Sequence, residues 1–323
     1  MDIAYLLWLQ ELRESLPPMV EQFFVIVSAI AVSTLLVIIP CALYWLVDKR
    51  AGQFAVLSFS LGTMLNQLVK NTVCCYRPWI RDAAIHPTEA ALPEATGYSF
   101  PSGHTQGAVS LVGAVGWYYR RQSKPLVVAC AAFALLVAFS RNFLGVHTPQ
   151  DVAVGLLVGV VAVAAAGPLL SWADAHDGND ARLLAAGLAA TAAYLAYVAF
   201  KPYPTSVDAA GALLVDPVKM QVDCFKGAGV FAGFLVGWFL ERRYLNFEVD
   251  PHAGWHTRIL RLALGIAVML LFHEAAKPLL AFGMDERVFE LVKNFLTLFA
   301  ATYVSPLAFC AVERRWAGRN SVA

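Results

Sequence analysis

The chain alternates between long apolar segments and short polar connections. Nine segments are apolar over lengths close to the roughly 20 residues that a helix needs to cross a bilayer. We expect each to be a membrane-spanning helix, with 104–119 and 227–241 short enough to be tilted or packed inside a bundle. The nine predicted spans are 23–47, 51–69, 104–119, 125–140, 150–170, 183–200, 227–241, 257–281 and 288–312.

This pattern predicts an all-α protein, a polytopic transmembrane bundle of about nine spans in which five to six helices form a core. We expect three parts: an amphipathic interfacial segment at 1–22, the core spans at 23–170, and additional C-terminal helices at 171–323. Gly and Ala are frequent in 150–170, which favours close helix contact. Only 15% of the residues are charged, against about 25% in soluble proteins. The net charge of +1 gives no reason to expect a nucleic-acid partner.

The distribution of basic residues predicts an orientation. Nine spans place the termini on opposite sides, and one side carries 13 of the 24 Lys and Arg residues. The positive-inside rule makes that side cytoplasmic, with the C-terminus inside and the N-terminus outside. The loops 70–103, 141–149, 201–226 and 282–287 then face outward.

Six cysteines are scattered along the chain, and none has the spacing of a CxxC or zinc motif. Cys74, Cys75 and Cys224 fall in loops on the same predicted side. The sequence neither requires nor excludes a disulfide between Cys224 and one of the other two.

Three polar clusters fall at span ends on the predicted outer side. The first runs from Lys70 to Pro78 at the end of the second span. The second, Pro101-Ser-Gly-His104, opens the third span, and the third runs from Ser140 to Asp151 between the fourth and fifth spans. Because all three clusters open on one face, helix packing can bring them together.

The clusters contain the groups that bind a tetrahedral dianion. Lys70, Arg77 and Arg141 are three cations, and the planar fork of Arg suits phosphate oxygens. Ser102 is a predicted N-cap, so the free backbone N–H groups after it form an anion site. Gly103 lets an oxyanion approach the backbone closely.

Two histidines supply the chemistry. Thr148 is a predicted cap of the fifth span, which puts Asp151 four residues after His147 and near the same helix start. Asp151 can then accept from one imidazole nitrogen and leave the other free to attack phosphorus. His104 follows the anion site and can protonate the departing oxygen. No carboxylate cluster is left over for a divalent metal, and we expect neither metal nor cofactor.

Each cluster alone has an ordinary explanation as an interface anchor or helix cap, but their combination is specific. The three clusters resemble the signature motifs of the type 2 phosphatidic acid phosphatase family, whose superfamily includes vanadium haloperoxidases and glucose-6-phosphatase. The match is complete at every motif position and covers about residues 50–168, which leaves the last four spans unexplained. The resemblance implies a metal-independent, vanadate-sensitive phosphatase that works through a phosphohistidine. It implies a nucleophile, His147, oriented by Asp151; a general acid, His104; and the phosphate ligands Lys70, Arg77, Ser102, Gly103 and Arg141.

The expected function is hydrolysis of a phosphomonoester or pyrophosphate of a lipid, similar to phosphatidate or to polyprenyl pyrophosphate, at the extracytoplasmic face. The expected location is a bacterial cytoplasmic membrane, and the expected partners are the phosphorylated lipid and membrane lipids. A soluble phosphoester, or phosphoryl transfer to another acceptor, is the alternative. A non-catalytic lipid-binding protein is disfavoured because both histidines are present. The sequence gives no indication of oligomeric state.

A second polar group lies in the last two spans. His273, Glu274 and Lys277 lie near the outer end of one span, and Glu290 and Lys293 lie on the next. We expect ion pairs between the two helices, in preference to a role in substrate binding.

Overall fold

The computed structural model describes residues 2–278 and 283–320. Within these ranges the chain is helical, apart from loops and one isolated β-bridge between Val207 and Leu213, which confirms the predicted fold class. Helices α6, α10 and α12 each contain a π-helical segment. The helices are α1 (Asp2–Ser15), α2 (Pro18–Val32), α3 (Thr34–Leu46), α4 (Lys49–Val73), α5 (Pro78–Arg81), α6 (Gly103–Ala108, Val109–Gly113 and Ala114–Tyr118), α7 (Lys124–Phe143), α8 (Pro149–Ala175), α9 (Asn179–Phe200), α10 (Pro217–Leu240 and Glu241–Leu245), α11 (Trp255–Ala275) and α12 (Glu286–Phe299, Ala300–Val304 and Ser305–Asn320).

Six helices in the described ranges are long and apolar enough to cross a membrane. They correspond to the last six predicted spans, and the nine-span count stays a prediction. Residues 279–281 of the predicted span 257–281, and residue 282 of the following loop, lie outside the described residues. The six helices are Lys124–Phe143, Pro149–Ala175, Asn179–Phe200, Pro217–Leu245, Trp255–Ala275 and Glu286–Arg314.

The first predicted span is wrong as a single helix. Residues 23–47 are divided at Ser33, whose extended backbone (ψ 147°) separates α2 from α3. The Ser33 hydroxyl donates to the Ile30 carbonyl at 2.8 Å. Such a bond between a serine and a nearby carbonyl competes with regular helix hydrogen bonding, which the apolar pattern alone does not reveal.

Helix α4 lies at the centre of the bundle and packs against α3, α8 and α10. It begins where the Asp48 carboxylate accepts from the Ala51 N–H at 2.9 Å, and it ends at Cys74, which has a left-handed backbone (φ 52°). The helix carries Lys70 and Asn71 to the end of the bundle where the three motifs meet, and both side chains are buried.

Glycines allow α8 to pack closely against α6, as the composition of 150–170 predicts. A Cβ at Gly155 would lie 2.7 Å from the Ser102 carbonyl oxygen. At Gly159 it would lie 2.6 Å from the Val109 Cβ. Since real Cβ atoms do not approach other atoms so closely, only glycine permits this packing, and it fixes α8 against the start of α6.

The C-terminal helices form a second packed group. Helix α10 runs along α12, with Gly229 and Gly233 directly against the α12 backbone. The predicted ion pairs between the last two spans are wrong: Lys293 pairs with Glu290 on its own helix, and Lys277 pairs with Glu274 at 2.5 Å. Residues three positions apart on one helix are already neighbours, so each lysine pairs with the glutamate of its own segment.

The N-terminal helix α1 packs on the loop that precedes α6. Leu9 is buried with Ala91, Phe143 and neighbouring residues. The Arg13 guanidinium donates to the carbonyls of Phe143 at 3.0 Å and His86 at 2.5 Å. The interfacial placement of 1–22 and the other domain boundaries stay predictions.

All six cysteines are free thiols, so the structure contains no bond between Cys224 and Cys74 or Cys75. The Cys224 sulfur instead accepts from the Asn71 amide at 3.0 Å. This contact joins α10 to the end of α4.

Candidate active site

The three motifs meet at one end of the bundle, around a cavity of about 570 Å³. Each motif residue sits at or close to the end of a helix or in the connection that follows it. The cavity is lined by Lys70, Arg77, Gly103, His104 and His147, together with residues of the C-terminal helices. Ser102, Arg141 and Asp151 are buried behind this lining.

The start of α8 holds His147 beside Asp151. Thr148 and Asp151 form a capping box: the Thr148 hydroxyl accepts from the Asp151 N–H at 3.3 Å, and the Asp151 carboxylate accepts from the Thr148 N–H at 2.7 Å. This confirms the predicted cap. The His147 Nδ1 lies 3.4 Å from Asp151 Oδ2. Ser99, which the sequence analysis missed, donates its hydroxyl proton to the same oxygen at 2.5 Å.

These contacts fix the tautomer of His147. Nδ1 faces two acceptors, Asp151 Oδ2 and Ser99 Oγ, each at 3.4 Å. Nε2 lies 2.9 Å from Arg77 Nη1, and a guanidinium can only donate. The proton is therefore on Nδ1 and the lone pair on Nε2. Burial, reinforced by the charge of Arg77, holds the pKa of His147 well below its usual value, so the imidazole is neutral at pH 7.

Two of the three cations are already tied to the backbone. Lys70 donates to the carbonyls of Tyr98 and Pro101, both at 2.8 Å. Arg77 donates to the carbonyls of Thr96, Gly97 and Val146 at 2.9–3.1 Å. These bonds hold the loop before α6 in place while the charges remain at the cavity.

Arg141 is the cation with free donors. It is fully buried, its Nη1 donates to the Ser28 hydroxyl, and its Nε and Nη2 have no partner among the described residues. A buried donor without a partner is costly. An anion that accepted from Nε and Nη2 together would remove that cost, and a phosphate has the matching geometry.

The first turn of α6 has the features of an anion site. Ser102 caps the helix as predicted, with its hydroxyl accepting from the Thr105 N–H at 3.5 Å. A Cβ at Gly103 would meet only the Asn66 side chain, at 3.8 Å. Packing therefore does not require glycine at position 103. The physical reason for a glycine here is that a ligand can approach the backbone closely.

His104 has a partner that the sequence analysis did not identify. Its Nε2 lies 3.1 Å from the carboxylate of Glu94, in the loop before α6. The hydrogen bond from His104 holds the pKa of Glu94 below its usual value, with burial opposing the shift. An ionised Glu94 keeps a proton on Nε2 of His104. No local pattern marks Glu94 in the sequence, because its position depends on the path of a long loop.

Two family models match the chain. One is described as the PAP2 superfamily and matches residues 52–173, and the other as the transmembrane extension of PAP2 superfamily phosphatases and matches residues 225–318. The first contains all three motifs, and the second covers three of the four predicted spans that the motifs left unexplained. The span 183–200 lies between the two matched ranges. The chain belongs to the PAP2 superfamily. The extension and the apolar helices make this PAP2 chain a multi-pass membrane protein.

Three curated relatives each match between about a third and two fifths of this PAP2 chain. Undecaprenyl-diphosphatase of Sulfolobus acidocaldarius is 33% identical over 128 residues, which are 38% of this chain and 57% of that protein. Undecaprenyl-diphosphatase BcrC of Bacillus subtilis is 32% identical over 114 residues, covering 35% and 55%. Phosphatidylglycerophosphatase B of Bacillus subtilis is 27% identical over 134 residues, covering 39% and 62%.

The chain thus spans little more than half the length of the curated relatives it matches. No solved structure gives a significant match.

Proposed function

We propose that this protein is a membrane phosphatase that hydrolyses a phosphomonoester or diphosphate of a lipid through a phosphohistidine on His147. The observation that carries the proposal is the fixed tautomer of His147. Its Nε2 lone pair borders a cavity that also contains cations and a helix start, which is the arrangement that in-line attack on phosphorus needs.

In the first step Nε2 of His147 attacks phosphorus and the bond to the leaving oxygen breaks. His104 gives that oxygen its proton, so an alcohol leaves from a monoester and a lipid monophosphate from a diphosphate. Asp151 stabilises the positive charge that develops on the imidazole, since it lies against Nδ1. Arg141 and the N–H groups after Ser102 stabilise the equatorial oxygens.

In the second step water attacks the phosphohistidine. His104 accepts a proton from this water, and the P–N bond breaks to release inorganic phosphate. His147 regains its lone pair, and His104 regains the proton that it donated. The cycle therefore balances with water as the co-reactant.

Two observations favour a lipid substrate. The cavity continues from the motifs along apolar side chains such as Val56, Phe59, Leu111 and Val230, which can hold a hydrocarbon chain. The relatives are named for undecaprenyl diphosphate and phosphatidylglycerophosphate, both lipids. The proposed substrates therefore include both lipid diphosphates and lipid phosphomonoesters.

The test is phosphate release by purified protein in detergent from undecaprenyl diphosphate, phosphatidate and glucose 6-phosphate. We expect release from the lipids, and none from a His147→Ala variant that elutes as the wild type does. Release from none of the substrates, or undiminished release by the variant, would overturn the proposal.

We also propose that the site faces the extracytoplasmic side, as the distribution of basic residues predicts. The loop 201–216 lies at the site end of the bundle, where Val215 packs with Tyr98. In a cysteine-free background, an impermeant thiol reagent should label Ser206→Cys on intact cells and should not label Gln122→Cys before lysis. The reverse labelling would contradict the proposed face.

A further inference from the structure

The cavity has a second polar wall, which the C-terminal helices provide. Besides the phosphate-binding motifs, Asp223 and Lys226 of α10, His273 of α11, and Asn294 and Thr297 of α12 line it. None of these residues belongs to the three motifs. The matched transmembrane extension begins at residue 225, so this wall lies where the extension meets the phosphatase core.

Close contacts hold α10 against the motif region. The Asn71 amide, next to Lys70, donates to the Cys224 sulfur at 3.0 Å. A Cβ at Gly227 would lie 3.2 Å from the Thr63 methyl group on α4. A Cβ at Gly97 would lie 2.1 Å from the end of Met220, so the loop before α6 also packs tightly on α10. The position of Asp223 and Lys226 relative to the phosphate site is therefore fixed by packing.

Several polar groups of this region have no partner within the described residues. Asn66 is 1% exposed and lines the cavity, and its Oδ1 accepts no hydrogen bond. Asp223 is partly buried and Lys226 is exposed, and within the described residues neither forms an ion pair or a side-chain hydrogen bond. A buried acceptor without a donor costs about as much as a lost hydrogen bond. The region therefore favours a ligand that supplies donors.

His273 adds a further acceptor. Its Nδ1 lies 3.2 Å from the Thr297 hydroxyl, which gives its own proton to the Lys293 carbonyl at 2.8 Å. The hydroxyl must then accept from Nδ1–H, which leaves Nε2 with a lone pair. Asn66, Asp223 and His273 are thus acceptors, and Lys226 is a donor.

The mixture of charges selects among ligand groups. A second phosphate would be repelled by the Asp223 carboxylate, and an ammonium group would be repelled by Lys226. A hydrocarbon chain would offer no donor to the buried Asn66 oxygen or to the partly buried Asp223 carboxylate. A hydroxyl group is neutral and both donates and accepts, so it can donate to Asp223 or Asn66 and accept from Lys226 without meeting a like charge.

We propose that Asn66, Asp223 and Lys226 form a hydroxyl-binding subsite, which selects substrates that carry free hydroxyl groups near the phosphate. The subsite deepens the proposed phosphatase function and rests on it. The hydroxyl groups belong either to the polar part of a lipid phosphate or to a soluble polyol phosphate. Both sources offer the same chemistry to the wall.

The test compares substrates that carry hydroxyl groups near the phosphate with substrates that carry none. One pair is oleoyl lysophosphatidate and oleyl phosphate, and the soluble pair is glucose 6-phosphate and hexyl phosphate. We expect the wild type to have a higher kcat/KM on the hydroxyl-bearing member of at least one pair. In Asp223→Asn, which loses the charged acceptor, that preference should fall about 10- to 100-fold, the range for a hydrogen bond to a charged group.

Lys226→Met should reduce the same preference, because it removes the donor of the wall. Lys219→Met is the matched control: it lies on the same helix, is exposed and does not line the cavity, and it should keep the preference. A loss confined to the lipid pair identifies a lipid headgroup as the ligand, and a loss confined to the soluble pair identifies a free polyol phosphate.

Equal losses of kcat/KM on both members of a pair would overturn the subsite. They would indicate that the substitution disturbs the structure or changes the electrostatic field of the whole site. An unchanged preference in Asp223→Asn would overturn it as well. If the wild type releases phosphate from none of the four compounds, that result contradicts the proposed function instead.

Discussion

Arg77 and His147 share a hydrogen bond, with Nη1 of the guanidinium 2.9 Å from Nε2 of the imidazole. The nitrogen proposed as the nucleophile is therefore covered by a cation in the resting site. An arriving phosphate offers Arg77 a charged acceptor, which forms a stronger hydrogen bond than a neutral imidazole does. We infer that substrate binding releases the Nε2 lone pair at the place where attack occurs.

The first prediction concerns the nucleophile. His147→Ala should abolish formation of acid-labile phosphoprotein, because the variant lacks the Nε2 lone pair that is proposed to attack phosphorus. His104→Ala should still form it, and should lose about 10²–10⁴-fold in rate on an alkyl phosphate, the usual range for a general acid. The loss should be much smaller on nitrophenyl phosphate, if the cavity admits it, since that leaving group needs little protonation. The measurement is trapping of labelled phosphate on the protein.

Phosphate label on His104, or label that persists in His147→Ala, would show that the nucleophile is assigned wrongly. Asp151→Asn provides the matched comparison, because it keeps the imidazole and removes the carboxylate that orients it and stabilises its positive charge. This variant should retain a low level of label.

The second prediction concerns Arg141, whose Nε and Nη2 have no partner in the described part of the chain. Arg141→Lys keeps the charge but cannot supply two parallel donors, so kcat/KM should fall about 10- to 100-fold, as expected for a lost hydrogen bond to a charged group. Arg120→Lys is the control, since Arg120 is exposed at the other end of the bundle. If Arg141→Lys has wild-type activity, the free donors do not contact the phosphate.

The third prediction concerns charge neutralisation. Lys70, Arg77 and Arg141 supply three positive charges near the phosphate, so activity should persist in a chelator. Vanadate should inhibit, because it adopts the five-coordinate geometry of phosphoryl transfer with His147 as an apical ligand. The measurement is phosphate release with EDTA and with increasing vanadate. Activity lost in the chelator and restored by magnesium would refute this prediction.

The parts of the site that depend on local sequence were predictable. The caps at Ser102 and Thr148 follow from residues within three positions of each helix start, and both were confirmed. Ser99 and Glu94 could not be found in this way, because the path of the loop before α6 depends on its contacts with Lys70, Arg77 and α10.

The fold shows the same division between local and distant causes. Apolar segments correctly predicted the last six membrane-length helices. The break at Ser33 was missed because hydropathy does not record a hydroxyl that bonds to its own helix. The ion pairs of Glu274 and Glu290 were misassigned because the sequence offered both local and cross-helix partners.

The fourth prediction follows from the contact between Glu94 and His104. The lowered pKa of Glu94 keeps its carboxylate ionised at lower pH, and an ionised carboxylate favours a protonated imidazole. Glu94→Gln should therefore move the alkaline limb of the kcat/KM profile to lower pH, since the general acid then loses its proton more easily. Glu89→Gln, in the same loop, is the control. A rate loss without movement of that limb would indicate a structural role for Glu94.

The last prediction tests the packing that supports the anion site. A Cβ at Gly155 would lie 2.7 Å from the Ser102 carbonyl oxygen, so Gly155→Ala must displace either α8 or the cap of α6. Overpacking costs typically about 1–3 kcal/mol, and the displaced helix start would no longer match the phosphate. We expect a lower melting temperature and at least about a tenfold loss of kcat/KM, since displacements of about 1 Å at a site have large effects on rate.

Gly167→Ala is the control on the same helix, because its Cβ would meet Phe54 at an ordinary contact distance of 3.5 Å. That variant should match the wild type in both measurements. If Gly155→Ala also matches the wild type, then the close approach of α8 does not determine the geometry of the phosphate site. A lower melting temperature with unchanged kcat/KM would show that the glycine serves helix packing alone, and that the start of α6 keeps its position by other contacts, such as that of the Ser102 N–H with the Asp151 carbonyl at 2.9 Å.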